Sequence, residues 1–134
     1  MHRLVFAVAL ALLVPALPVR AADCARAADQ LTLNTCADAS YRTADAELNR
    51  LYRQITGRLQ GEADTAKALV AAQRAWLAFR DAECTFDTSD AAGGSIYPMI
   101  YSGCLEGLTR KRIADLKAFL SCQEGDMSCP VPAQ

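Results

Sequence analysis

Histidine is almost missing from this 134-residue chain: the only one is His2, inside a segment expected to be removed on export. Its absence from the mature chain excludes Ser–His and Cys–His nucleophile pairs, and with them most metal-assisted mechanisms. No C-x-x-C pair occurs either, so a zinc site has neither its usual ligands nor their spacing. Strand-like alternation of polar and apolar residues is absent, as are internal repeats. The one long apolar run, Leu4 to Val14, covers 11 residues and is too short to span a bilayer as a helix.

That run reads instead as the core of a secretory signal peptide. Arg3 supplies the positive n-region, Pro15 and Pro18 end the apolar stretch, and Val19-Arg20-Ala21 provides tolerated residues before a cut after Ala21. The expected product is periplasmic or secreted. Lipid attachment at Cys24 is disfavoured, because lipobox processing needs a small residue where Asp23 stands. Without residues 1–21, twelve Lys and Arg face fifteen Asp and Glu, a net charge of −3. A mildly acidic chain lacks the clustered positive charge that nucleic acids and anionic membranes require. No cofactor and no metal are expected.

Six cysteines lie in the expected mature chain: Cys24, Cys36, Cys84, Cys104, Cys122 and Cys129. An even count in a small exported protein points to disulfides, since the compartment is oxidising and the core is thin. Cys122–Cys129 is the natural local pair. For the others, Cys24–Cys36 with Cys84–Cys104 keeps the loops short, and Cys36–Cys84 with Cys24–Cys104 is the rival.

Three helices are predicted. The first follows Thr32 or Thr35 as N-cap and carries Tyr41, Ala44, Leu48, Leu51, Tyr52, Ile55 and Leu59 on one stripe, with Gly61 as its stop signal. The second runs from about Glu62 to Thr85, with Ala66, Leu69, Val70, Gln73, Trp76, Leu77, Arg80 and Cys84 on one face. So short a connection predicts an antiparallel hairpin. Asp87 to Ser95 is a loop punctuated by Gly93-Gly94, and Ser95 is the expected cap of a third helix bearing Tyr101, Cys104, Leu105, Leu108, Arg112, Leu116 and Phe119 or Leu120. After Ser121 a polar tail is expected. The fold class is therefore all-α: a small disulfide-stapled antiparallel helical hairpin plus a third helix. Its parts are residues 22–121 as a helical domain and 122–134 as a tail.

Polar residues interrupt the apolar faces. Gln73 and Arg80 flank Trp76, and Arg112 lies on the third stripe. A charge facing a small core needs a partner. Asp45 is a candidate for Arg80 or Arg112, and Asp81 is the nearer alternative. The reading favoured for this set is a structural network that fixes helix register.

Several runs together resemble one family. They are Asp23-Cys24, Leu33-Asn34-Thr35-Cys36-Ala37, Ala44-Asp45-Ala46-Glu47-Leu48-Asn49, Gln73-Arg74-Ala75-Trp76-Leu77, Phe79-Arg80-Asp81-Ala82-Glu83-Cys84, Gly93-Gly94-Ser95, Cys104, Leu108-Thr109 and Arg112. The chain resembles the LprI-type lysozyme inhibitors over about residues 23–120. The resemblance implies an exported, helical bacterial protein, with lysozyme inhibition known in at least one relative. Cys122 and Cys129 stand outside the common four.

Two functions follow as expectations. One is a non-enzymatic envelope protein that inhibits lysozyme or a related wall hydrolase. The other is an envelope binding module without a hydrolase target. Lysozyme cleaves with two carboxyl groups in a cleft. An inhibitor should offer them hydrogen-bond donors on a protruding segment. Gly93, Gly94, Ser95 and Tyr97 are the candidate residues, combining backbone amides, a hydroxyl and an aromatic anchor.

Overall fold

A computed structural model of the chain describes residues 21–133. The expected signal peptide lies outside the described residues apart from Ala21. Four helices follow in order: α1 (Ala21–Cys24), α2 (Gln30–Arg58), α3 (Ala63–Asp87) and α4 (Tyr97–Leu120). A single 3-10 turn, Ser89–Ala91, lies between α3 and α4, and no strand occurs among the described residues. The all-α class and the three long helices agree with the reading of the sequence.

The helix ends differ in instructive ways. α2 starts earlier than a cap at Thr32 or Thr35 would allow. Asp29 is the cap: its carboxylate accepts from the Thr32 amide at 2.9 Å and the Thr32 hydroxyl at 2.7 Å. A carboxylate at this position meets both the orphan amides and the positive end of the helix dipole. Thr35 instead turns its hydroxyl back to the Leu31 carbonyl at 2.9 Å. Ser95 does not cap α4 either. Ile96 holds that position, and Pro98 sits in the first turn, where its missing N–H costs nothing. Between α2 and α3 the chain reverses at Gly61, whose φ of +97° is a left-handed conformation that glycine adopts freely.

Cross-helix contacts give the directions. Arg80 of α3 reaches Asp45 of α2, and Leu69 of α3 shares a cavity wall with Ile55 and Leu59. α3 therefore runs back along α2. Gln73 meets Arg112, and Cys84 bonds Cys104, so α4 runs back along α3. Parallel to each other, α2 and α4 make the most extensive backbone approach in the molecule. The hairpin partner α3 stands farther from α2 than a simple hairpin predicts. The side chains it sends inward are large, namely Leu69, Gln73, Trp76 and Arg80, whereas α2 and α4 offer Ala44, Ser102 and Thr109 among their buried residues.

The core is built on α2 and α4. Leu48, Ile55 and Leu116 are fully buried, and Leu51, Leu59 and Ile113 surround them. Each such side chain stabilises the fold by roughly 1.5–3 kcal/mol through its removal from water. The disulfides are Cys24–Cys36, Cys84–Cys104 and Cys122–Cys129, the short-loop set. The segment expected to be a polar tail folds back: Cys122 and Val131 belong to the core cluster. The Cys122–Cys129 bridge turns the chain so that Val131 covers the far end of the bundle.

Among the described residues, one buried side-chain oxygen is left unsatisfied. The Thr109 hydroxyl oxygen has no hydrogen-bond partner among the described atoms. Replacing it by the isosteric methyl in Thr109→Val is expected to raise the unfolding free energy by about 1 kcal/mol. Urea unfolding would show a higher midpoint at unchanged slope; a lower midpoint would mean that the hydroxyl is satisfied.

Candidate functional site

Two regions gather the residues singled out in the sequence. The first is a polar cluster at mid-height between the three long helices. Arg80 is its centre, at 6% exposure. Its Nε donates to Asp81 Oδ1 at 2.9 Å, and its Nη1 lies 3.4 Å from Asp45 Oδ1. Asn49 holds the other Asp45 oxygen at 2.9 Å. The guanidinium carbon stands 5.3 Å from the Trp76 ring centre and 5.5 Å from that of Tyr41. Arg112 approaches the same indole at 6.0 Å and donates from Nε to Gln73 Oε1 at 3.2 Å.

Both predicted carboxylate partners thus serve Arg80, and neither serves Arg112. Arg112 takes Gln73 and, one turn along its own helix, Asp115 at 3.8 Å. Asp115 was missed in the sequence, although its i,i+3 spacing was a usable signal. Tyr41, on the α2 stripe, adds a cation–π contact to Arg80 that helical spacing does not announce. Burial works against the Arg80 charge. The Asp81 hydrogen bond and the neighbouring Tyr41, Asp81 and Asp45 outweigh it and hold the guanidinium above its ordinary pKa. Burial also pushes the Tyr41 phenol up, and the Arg80 charge opposes that only in part.

Chemically, this cluster is closed. Its buried cation is paired, and its tryptophan is approached by two guanidinium groups. Among the described residues, no group of three or more His, Cys, Asp or Glu is placed to hold a metal ion. No helix among them is long and apolar enough to cross a membrane.

The second region is the loop end of the bundle. Gly93 has φ +80°, and the Gly94 amide donates to the Ala91 carbonyl at 2.9 Å. A side chain at Gly94 would bring its Cβ to 3.1 Å from that same oxygen, which explains the second glycine. Ser95 is tied down by its carbonyl, which accepts from Asn34 Nδ2 at 3.0 Å. Asn34 is the anchoring residue that the sequence reading did not assign. Tyr97 stacks on Tyr101, with ring centres 5.5 Å apart, and is half-buried. Gly93, Gly94, Ser95 and Ile96 are exposed, and among the described residues the amides of Gly93, Ser95 and Ile96 make no hydrogen bond. The predicted loop residues are therefore together, with Tyr97 bracing the loop from beneath. The loop and the Arg80 cluster are separate regions joined by α3 and α4.

The family model described as "Lysozyme inhibitor LprI" matches residues 21–116, most of the chain. The chain belongs to the LprI family. An uncharacterized protein of Rhizobium meliloti (strain 1021) is 46% identical over 113 residues, spanning 76% of this chain and 81% of that protein. No solved structure gives a significant match. The matched region holds the Arg80 cluster, the loop end and the bridges Cys24–Cys36 and Cys84–Cys104. It stops before the Cys122–Cys129 bridge and Val131. In this LprI-family chain, the closing tail lies outside the matched region.

The raised Tyr41 pKa gives a testable pH dependence. An acid whose folded pKa lies above its unfolded value stabilises the fold fully below the unfolded value, near 10 for a phenol, and loses that contribution as pH rises through the folded value. Stability is expected to fall above about pH 10, and Tyr41→Phe should flatten that fall. Urea midpoints across the alkaline range check it; an unchanged slope in the variant would contradict it.

Proposed function

We propose that this protein is an exported, non-enzymatic envelope protein that binds and inhibits lysozyme or a related cell-wall hydrolase. The family model carries this reading, since its description names lysozyme inhibition over residues 21–116. The proposed export rests on the N-terminal signal-peptide pattern and fits three disulfides with no free cysteine among the described residues. The inhibitory unit is placed in residues 22–121, with 122–134 closing the far end of the bundle. No nucleic acid and no membrane insertion enter the proposal.

The loop end supports the reading chemically. A hydrolase with two cleft carboxyl groups is met best by hydrogen-bond donors on a convex segment. Gly93, Ser95 and Ile96 present three free amides, and Ser95 adds a hydroxyl. The anchors beneath them, Asn34 on the Ser95 carbonyl and Tyr101 under Tyr97, hold the loop in one shape before binding. Preorganisation of this kind spares the ordering cost of association. Around the loop stand Asp23, Asp29, Glu83, Asp87 and Asp90, against Arg26. This acidic end steers toward a basic enzyme.

Oxidised protein mixed with hen-type lysozyme on a cell-wall suspension tests the reading. Lysis is expected to slow in proportion to added protein. The double variant Ser95→Ala, Tyr97→Ala is expected to weaken inhibition at least about tenfold, equivalent to about 1.4 kcal/mol. Unchanged lysis at large molar excess would contradict inhibition of that lysozyme class. Full inhibition by the double variant would remove the loop from the interface.

A further inference from the structure

A cavity of about 240 Å³ lies at the end of the bundle away from the loop of residues 93–95. Its origin is the spacing of α3. Trp76 and Arg80 hold that helix away from α2, and toward its N-terminal end the side chains facing the gap shrink to Thr65, Ala68 and Ala72. The space they leave is floored by Ile55, Leu59 and Val131, all buried. Ala68 and Ala72 are exposed and form its mouth. Protein interiors leave few openings larger than a water molecule, so an unfilled apolar space of this size invites a ligand. One charged residue, Arg112, joins these mostly apolar walls.

We propose that the cavity binds a medium-chain fatty acid, with its carboxylate on Arg112 and its tail toward Val131. Charge selects the head group. Of the Arg112 donors, only Nε makes a hydrogen bond among the described residues, to Gln73 Oε1 at 3.2 Å. Asp115 stands 3.8 Å from Nη1, beyond hydrogen-bond distance, and is itself mostly exposed. The guanidinium therefore keeps donors for the planar, bidentate contact that a carboxylate offers. The place of Arg112 selects a linear tail. Gln73 holds it at the level of Ala72, one end of the cavity. Phe119, two turns farther along α4, lies at the level of Thr65, the other end. From Thr65 to Ala72 the helix rises about 10.5 Å. A terminal anion with an apolar chain laid along that length matches both features. At roughly 30 Å³ for each small group, the volume admits a chain of about eight carbons. The cavity and the loop end are separate regions, so this site does not rest on hydrolase inhibition.

Octanoate titrated into the full oxidised protein tests the site. Trp76 is the reporter, since it is the only tryptophan and Arg112 approaches its ring at 6.0 Å. Saturable one-to-one binding in the submillimolar range is expected, seen as a change in indole fluorescence and confirmed by calorimetry. 1-Octanol and octylamine have the same chain without the anion, and should bind at least about tenfold more weakly. Affinity is expected to rise from hexanoate to octanoate and to level off by dodecanoate. Ala68→Phe places a ring in the mouth and should abolish binding while the far-UV helix signal stays unchanged. Arg112→Met should erase the preference for octanoate over 1-octanol; if that variant misfolds, Ala68→Phe still decides. No saturation at millimolar octanoate would overturn the proposal, and so would equal affinity for 1-octanol. Binding undiminished by Ala68→Phe would put the ligand elsewhere and overturn it too. A steady rise in affinity past dodecanoate would contradict a chain fitted to this cavity.

Discussion

A guanidinium inside a bundle this small is the constraint around which the rest is arranged. Arg80 is nearly sealed from water, and a buried charge without partners costs several kcal/mol. The structure meets that cost from three sides. Asp81 stands beside it on α3, Asp45 and Tyr41 come from α2, and Trp76 lies one turn before it. These partners are correctly placed in only one rotation of α3 against α2. Arg112 extends the same arrangement to α4 through Trp76 and Gln73. Apolar side chains alone would tolerate small slips between helices. Directional partners on a buried charge do not.

The disulfides act on other parts of the chain. Cys84–Cys104 joins α3 to α4 just below the loop, so Ser89–Ile96 springs from two helices already fixed to each other. Cys24–Cys36 ties the N-terminal residues to the start of α2, near Asn34. The glycine- and serine-containing loop end is thus anchored on both sides. At the far end, Cys122–Cys129 folds Val131 over Leu59 and Ile55.

Much of this was legible in the residues themselves. Leu48, Leu51, Ile55 and Leu59 recur at helical spacing, and burial follows from that spacing. Arg80 on an apolar face announced its need for a carboxylate, and both proposed carboxylates are there. Other features left no periodic trace. Val131 is one apolar residue between two prolines, so nothing local signals its burial. The disulfide choice depended on which ends of the helices meet, and Cys36 and Cys84 share an end in either pairing. Asp29, Thr32 and Thr35 are all acceptable caps by residue type, and the carboxylate is the better match for the helix dipole. The separation of α3 from α2 follows from the size of Trp76 and Arg80, which helical spacing alone does not measure.

Arg80 and Asp45 couple α2 to α3, and are not merely neighbours. A double-mutant cycle in unfolding free energy measures that coupling directly, using Arg80→Met, Asp45→Ala and the double variant. The two losses are expected not to add, with a coupling of about 1 kcal/mol given the partial exposure of Asp45. Losses that simply add would show that the pair holds nothing together.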